Sequence, residues 1–142
     1  MDETTVAMPG DLYLGHAAID AQHEILYYYY HEMVYAVDCK DKAFVLSNIL
    51  SGLNVYIATH FRYEEELMSE TGYPEGVAHE AEHKALSEGV ARLGERFYNS
   101  AEQVQEDRLV LEIAEFLKSW LKHHIVEVDR RLAEYLAAKQ TS

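Results

Sequence analysis

Eight histidines are many for a chain of 142 residues, and several of them stand at helical spacing from one another or from an acidic residue. His60 and Glu64 are four residues apart, as are His79 and His83, so each pair occupies one face of a helix. Imidazole and carboxylate groups are ligands for iron, and also for manganese, zinc or copper. The spacing therefore indicates metal binding, with each pair chelating from one helix.

Four amphipathic segments must position these side chains, because apolar residues recur every three or four positions in each and every stripe contains a histidine. The stripes are His23, Leu26, Tyr27, Tyr30, Val34 and Val37; Leu46, Ile49, Leu53, Tyr56, His60, Glu64 and Leu67; His79, His83, Leu86, Val90, Leu93 and Phe97; and Ile113, Phe116, Leu117, Trp120, Leu121, His124, Val128, Leu132 and Leu136. This pattern predicts an all-α fold, an up-down-up-down four-helix bundle.

The boundaries of the bundle follow from turn and capping residues. Residues 1–19 contain Pro9, Gly10 and Gly15 without a sustained period, and are predicted to form an extended N-terminal arm. The bundle is expected over 20–138, with Asp20 as the first N-cap, and breaks are expected at 38–41, at 71–74 and near 99–100. The chain of 142 residues is predicted to be one domain.

The inward stripes carry five imidazoles and two carboxylates, the second carboxylate coming from Asp129. On a regular α-helix Asp129 lies about 140° around from His124, five residues earlier. A single histidine is more often a hydrogen-bonded core or surface residue than a ligand, but burying the whole set would cost several kcal/mol without compensation. Metal ions compensate directly, so the candidate ligands are His23, His60, Glu64, His79, His83, His124 and Asp129.

Four motifs together resemble the hemerythrins, and among them the single-domain bacterial ones. They are Ile-Asp-Ala-Gln-His at 19–23, His-Phe-Arg-Tyr-Glu-Glu at 60–65, His-Glu-Ala-Glu-His at 79–83, and Trp-Leu-Lys-His-His-Ile-Val-Glu-Val-Asp at 120–129. Each motif alone is weakly specific, but all four occur in the family's order and separations. The resemblance covers the chain from about residue 8.

The resemblance implies two iron ions (Fe2+/Fe3+) joined by an oxo or hydroxo bridge. It assigns His79, His83 and His124 to one iron, His23 and His60 to the other, and Glu64 and Asp129 to both. The iron with two histidines would keep an open position for O2. Because no protein residue acts as an acid or base, the family implies a non-enzymatic protein for oxygen storage, delivery or sensing. An oxygen-consuming client protein is a further expected partner.

Two other functions remain open at this point. The first is a diiron redox enzyme acting on peroxide or nitric oxide, and the second is a metal-buffering or purely structural bundle that holds zinc or nothing. A ferritin-like oxidase ranks lower, because such centres use Glu-x-x-His pairs. The pairs here are His-x-x-x-Glu and His-x-x-x-His.

Charge and composition exclude several partners. The net charge of −13 would repel a nucleic acid or an anionic membrane. The single cysteine, Cys39, is expected to be a free thiol in a reducing compartment. The N-terminus does not resemble a signal peptide and no stretch reaches about 20 apolar residues. We expect a soluble, cytoplasmic protein that is a monomer or a weak homo-oligomer.

Several polar and aromatic residues are left outside this ligand set. Tyr27 and His31 stand where the hemerythrin family commonly has Phe and Asn. Tyr27 and Tyr30 are predicted to be core tyrosines. The alternative is that their hydroxyl groups lie near the O2 pocket. His16, His31 and His123 are not expected to bind metal. Tyr28 and Tyr29 point away from the core, to an interface or against the arm. A solvated acidic surface is expected at Glu65, Glu66, Glu80 and Glu82.

Overall fold

The computed structural model of the chain describes residues 8–36, 38, 40, 42–99 and 103–140, without the side chains of 42, 43 and 103–107. After a 3-10 turn at Gly10–Leu12 come α1 (Ala17–Ala36), α2 (Lys42–Thr71), α3 (Gly76–Tyr98), α4 (Gln103–His123), a π-helical segment (His124–Asp129) and α5 (Arg130–Gln140). The last three segments, α4, the π-helical segment and α5, form one continuous helix. Helices α1 and α3 each pack against α2 and α4. The predicted all-α four-helix bundle is therefore confirmed.

The first helix begins three residues before the predicted N-cap. His16 caps it, because His16 Nδ1 accepts the Ile19 N–H at 3.3 Å. Asp20 lies inside the first turn, and its carboxylate accepts the N–H groups of Leu14 and Gly15 at 2.8 and 3.1 Å. Asp20 therefore ties the N-terminal segment to the helix instead of starting it.

The predicted turn after the second segment is present and has a defined capping geometry. Helix α2 ends at Thr71, and Gly72 follows with φ 66°, a conformation that glycine adopts without a steric penalty. The N–H of Gly72 donates to Ser69 O and the N–H of Tyr73 donates to Met68 O, at 3.4 and 3.0 Å. This is a Schellman motif, which satisfies the last carbonyls of α2.

The core follows the predicted stripes closely in the last three segments and less closely in the first. Ile19 and Met33 of α1 are fully buried although the periodic pattern omitted them, whereas Val34 is 41% exposed. Met8 and Leu12 are also buried, so the N-terminal segment contributes to the main core. Predictions that concern residues 1–7, Val37, Cys39, Asp41 and Ser100 fall outside the described residues.

One helix in the described part of the chain, Phe44–Thr71, is long and apolar enough to cross a membrane by length and composition alone. The prediction from the sequence used a different criterion, a stretch of about 20 apolar residues, which α2 does not contain because polar residues such as Ser51 and Asn54 interrupt it. The same helix carries His60 and Glu64, both fully buried in the bundle. Core helices pass this test as well, so the helix by itself is weak evidence for a membrane.

Candidate metal centre

Seven polar side chains meet in the middle of the bundle, and each is at most 3% exposed. All five imidazoles present Nε2 to two central carboxylates. His60 Nε2 and His83 Nε2 lie 3.2 and 3.0 Å from Glu64. His23 Nε2, His79 Nε2 and His124 Nε2 lie 2.7, 2.9 and 3.0 Å from Asp129. The structure thus brings together every residue of the predicted ligand set.

The seven residues form two overlapping groups whose ligand atoms lie within 4.8 Å of one another. One group contains His79, His83 and His124, and the other contains His23 and His60. Glu64 and Asp129 belong to both groups. Two metal ions would therefore share two carboxylates, with three imidazoles on one ion and two on the other.

A π-helical turn places Asp129 beside His124. Within this segment the Arg130 N–H donates to Ile125 O, a hydrogen bond that spans five residues. Residues five apart are consequently one turn apart, whereas a regular α-helix would leave them about 140° out of phase. The turn is what makes the spacing of His124 and Asp129 compatible with one centre, and the sequence analysis did not predict it.

Two aromatic rings fix the orientation of two imidazoles. Phe61 is stacked on His83 with a centroid distance of 3.9 Å and an interplanar angle of 6°. Trp120 is stacked on His124 at 5.1 Å and 21°. Both aromatic residues are buried, so they also keep water away from that side of the cluster.

The pKa values in the cluster are set by two opposed effects, burial of the groups and their contacts with groups of opposite charge. Burial alone lowers the pKa of an imidazole, but the carboxylates of Glu64 and Asp129 outweigh it and raise the pKa of His60 to about 9 and of His124 to about 10. Burial prevails at His23, whose pKa is lowered despite its hydrogen bond to Asp129. Burial would also raise the pKa of both carboxyl groups, yet the imidazoles hold it well below the usual range.

Buried atoms without a partner show that these residues fit metal ions. Among the described residues, seven buried atoms of the cluster have no hydrogen-bond partner; three are the Nδ1 atoms of His23, His79 and His124, and the four that face the centre are His60 Nε2, His124 Nε2, Glu64 Oε2 and Asp129 Oδ1. Leaving such groups unpaired in a protein interior costs several kcal/mol in total. Imidazole nitrogens and carboxylate oxygens are good ligands for iron and related metals, so a metal pair satisfies all four atoms.

Two residues that support the cluster were missed by the sequence analysis. The Nδ1–H of His60 donates to Gln22 Oε1 at 2.6 Å, and the Nδ1–H of His83 donates to Glu65 Oε2 at 2.8 Å. Glu65 was assigned to a solvated acidic surface; its side chain is 38% exposed, but its carboxylate also accepts a hydrogen bond from a buried ring, which the assignment did not include. The available signal was position, since Gln22 precedes His23 and Glu65 follows Glu64.

The remaining histidines lie outside the cluster. His16 caps α1, and His31 is in ring contact with Tyr27 at 5.1 Å and with Tyr30 at 5.8 Å. His123 is 48% exposed and lies 3.4 Å from Glu82. None of the three belongs to either group of ligand atoms.

The tyrosines of α1 separate into different environments. Tyr27 and Tyr30 are half-buried against the core and line a cavity of about 230 Å³ with the N-terminal segment and α4. Tyr28 is 53% exposed. Tyr29 packs on α2, where a Cβ at Gly52 would lie 2.7 Å from the Tyr29 hydroxyl. Of the two alternatives predicted for Tyr29, an interface or the arm, neither includes this contact with α2.

Comparison with known proteins gives one consistent result. Residues 14–136 match the family model described as "Hemerythrin HHE cation binding domain". Bacteriohemerythrin of Stenotrophomonas maltophilia is 30% identical over 128 residues, which is 90% of this chain and 79% of that protein. That of Clostridium acetobutylicum is 29% identical over 82% of this chain and 90% of its own length. That of Methylococcus capsulatus is 34% identical over 63% of this chain, and the match spans 64% of that protein.

Proposed function

This chain belongs to the hemerythrin family, and we propose that it binds O2 reversibly at a pair of iron ions for oxygen storage or delivery. The observation that carries the proposal is the unequal division of the imidazoles between two groups that share Glu64 and Asp129. The group with two imidazoles has one protein ligand fewer, which leaves room for a small external ligand. Iron, when bound, supplies the electrons for reversible O2 binding, which no side chain can supply.

The residues of the chain hold and shield such a pair. With two divalent ions bound, the two carboxylates offset half of the metal charge and the five neutral imidazoles leave the site modestly positive. The Phe61 and Trp120 rings restrict water on the three-histidine side. Gln22 and Glu65 fix the tautomer and orientation of His60 and His83 by accepting their Nδ1–H groups.

The proposal is for binding without catalytic turnover. Each of the seven ionisable groups in the cluster is used as a ligand under this assignment, so none of the seven is free to act as a general acid or base. Enzymes that transfer protons need such a group within hydrogen-bonding reach of the substrate. The proposal therefore predicts a stable O2 adduct and no net consumption of O2.

The test is anaerobic loading of the purified protein with Fe2+, followed by admission and removal of O2 while the visible spectrum is recorded. We expect two irons per chain and an O2-dependent absorption band that appears and disappears over repeated cycles. A band that decays directly to a stable ferric spectrum, with turnover of peroxide or nitric oxide, would favour a redox enzyme. Loading with zinc alone would favour metal buffering.

A matched pair of α1 variants separates loss of the site from general damage. His23→Gln removes one ligand of the two-imidazole group, whereas His31→Gln changes a histidine of the same helix outside the cluster. We expect His23→Gln to lose the reversible band and His31→Gln to keep two irons and the band. Equal iron content and an equal absorption band in the two variants would contradict the assignment of His23 as a metal ligand.

A further inference from the structure

The two metal groups differ in the charge of the residue that supports one of their imidazoles. On the two-imidazole side, His60 Nδ1–H donates to the neutral amide oxygen of Gln22. On the three-imidazole side, His83 Nδ1–H donates to the carboxylate of Glu65. Because Nδ1 of each ring faces an oxygen that accepts a hydrogen bond, Nδ1 carries a proton in both rings, and Nε2 is the nitrogen that points to the centre of the cluster.

The Glu65 contact is well placed to act on the electronic character of the ring. His83 is 2% exposed and is fixed by stacking on Phe61, so the ring cannot turn away from Glu65. Glu65 itself is 38% exposed, so its carboxylate lies at the edge of the bundle and reaches inward to His83. The hydrogen bond thus joins a partly exposed carboxylate to a buried imidazole.

A carboxylate in this position makes the imidazole a stronger donor to a bound metal. Accepting the Nδ1–H draws the proton towards the carboxylate and raises the basicity of Nε2. A more basic ligand stabilises Fe3+ more than Fe2+, since the higher charge gains more from electron donation. An amide oxygen accepts the same hydrogen bond without the charge, so its effect is smaller.

We propose that Glu65 is a positioning residue that lowers the reduction potential of the three-imidazole iron through its hydrogen bond to His83. This inference rests on the proposed iron pair and adds a regulation to it. A lower potential makes electron donation to O2 easier, and it also makes the ferric form easier to reach. Glu65 would therefore set the balance between O2 affinity and loss of the ferrous protein by oxidation.

The experiment is an anaerobic potentiometric titration of the iron-loaded protein, in which each iron accepts one electron from dithionite through mediators. Glu65→Gln is compared with Glu66→Gln, which removes the same charge from the adjacent, exposed position. We expect the ferric preference to fall about tenfold in Glu65→Gln, a rise of about 59 mV for a one-electron couple. Glu66→Gln should leave the midpoint unchanged.

A second variant keeps the experiment informative if Glu65→Gln loses its iron. Gln22→Glu gives His60 a carboxylate partner, so the midpoint potential of the two-imidazole iron should fall below its value in the unmodified protein. Equal midpoints for Glu65→Gln and the unmodified protein would overturn the inference, as would an equal rise in Glu66→Gln. If Glu65→Gln loses its iron, an unchanged midpoint in Gln22→Glu would overturn it.

Failure of this inference can be told apart from failure of the proposed function. The midpoint potentials are measured without O2, so their shifts do not depend on whether the reversible absorption band is observed. A reversible band with unshifted midpoints would leave O2 binding in place and remove the role of Glu65. Shifted midpoints without a reversible band would do the opposite, and a protein that holds no iron pair would refute both.

Discussion

Bound metal should add to the free energy of unfolding of the protein, and we call this increment its metal-linked stability. We expect Asp129 to contribute about twice as much to it as any single histidine of the cluster. It belongs to both groups of ligand atoms, whereas His83 belongs to one. The perturbation is therefore Asp129→Asn, which keeps the size of the side chain and removes its charge. The variant for comparison is His83→Gln. Asp129→Asn weakens both metal sites, and His83→Gln weakens only the three-imidazole site.

The expected size follows from the number of ligands lost. A four-ligand metal site in a small zinc protein contributes about 10–16 kcal/mol of apparent binding free energy, or about 3 kcal/mol per ligand. Losing one ligand from each of two sites should then cost about 6 kcal/mol of metal-linked stability in Asp129→Asn. Losing one ligand from one site should cost about 3 kcal/mol in His83→Gln, roughly a hundredfold in affinity.

The assay is urea unfolding under anaerobic conditions, with and without a fixed excess of Fe2+ for each variant. The difference between the two curves of one variant is its metal-linked stability, so effects of the substitution on the metal-free fold cancel. Iron per chain is measured on the same samples. We expect Asp129→Asn to lose both irons and His83→Gln to keep more than Asp129→Asn does.

The reasoning would be refuted by equal losses in the two variants or by two irons per chain in Asp129→Asn. Equal losses would mean that Asp129 serves a single metal ion, despite the contacts of its two oxygens with imidazoles from both groups. Retention of two irons would mean that the carboxylate is not a ligand and that its burial has another cause.

Three further outcomes follow from the structure. At pH 7, metal loading should release on the order of two protons per chain, measurable in weak buffer, because the pKa of His60 is raised to about 9 and that of His124 to about 10. These raised pKa values stabilise the metal-free fold fully below the ordinary histidine range, so its urea midpoint should fall as the pH rises through about 9 to 10. Gly94→Ala should raise the free energy of unfolding in urea by about 0.5–1 kcal/mol, because nothing lies within 4 Å of the new Cβ. Gly89→Ala should not show this increase, because its Cβ would lie 2.7 Å from Phe116 Cζ.

Residues at regular helical spacing were predictable from the sequence. The His60–Glu64 and His79–His83 pairs lie one turn apart because both helices are regular α-helices, as the apolar stripes indicated. The stripes also placed His23 on the inner face of α1, where it is fully buried. Local periodicity decides these positions, so the packed bundle adds only the convergence of the helices.

Contacts that depend on the relative placement of two helices were not predictable. Gln22 reaches His60 from α1 to α2, and Glu65 reaches His83 from α2 to α3. Each stands next to a predicted ligand in the sequence, but neither differs in type from the polar residues around it, so the local pattern does not identify the imidazole that it contacts. His16 as the cap of α1 was missed for another reason, because an imidazole nitrogen rarely takes the place of Ser, Thr, Asp or Asn.

The His124–Asp129 spacing contains more information than an α-helical projection can extract. Projected on a regular helix, Asp129 lies about 140° from His124 and its membership of the cluster looks weak. In the structure both are fully buried, and the Arg130 to Ile125 hydrogen bond marks the extra residue that a π turn accommodates. Such a turn gives up regular α-helical hydrogen bonds, so something in the core must favour it. The position of Asp129 between imidazoles of both groups supplies that reason. A ligand pair five apart on one helix, facing pairs four apart on its neighbours, therefore predicts a π turn between its members.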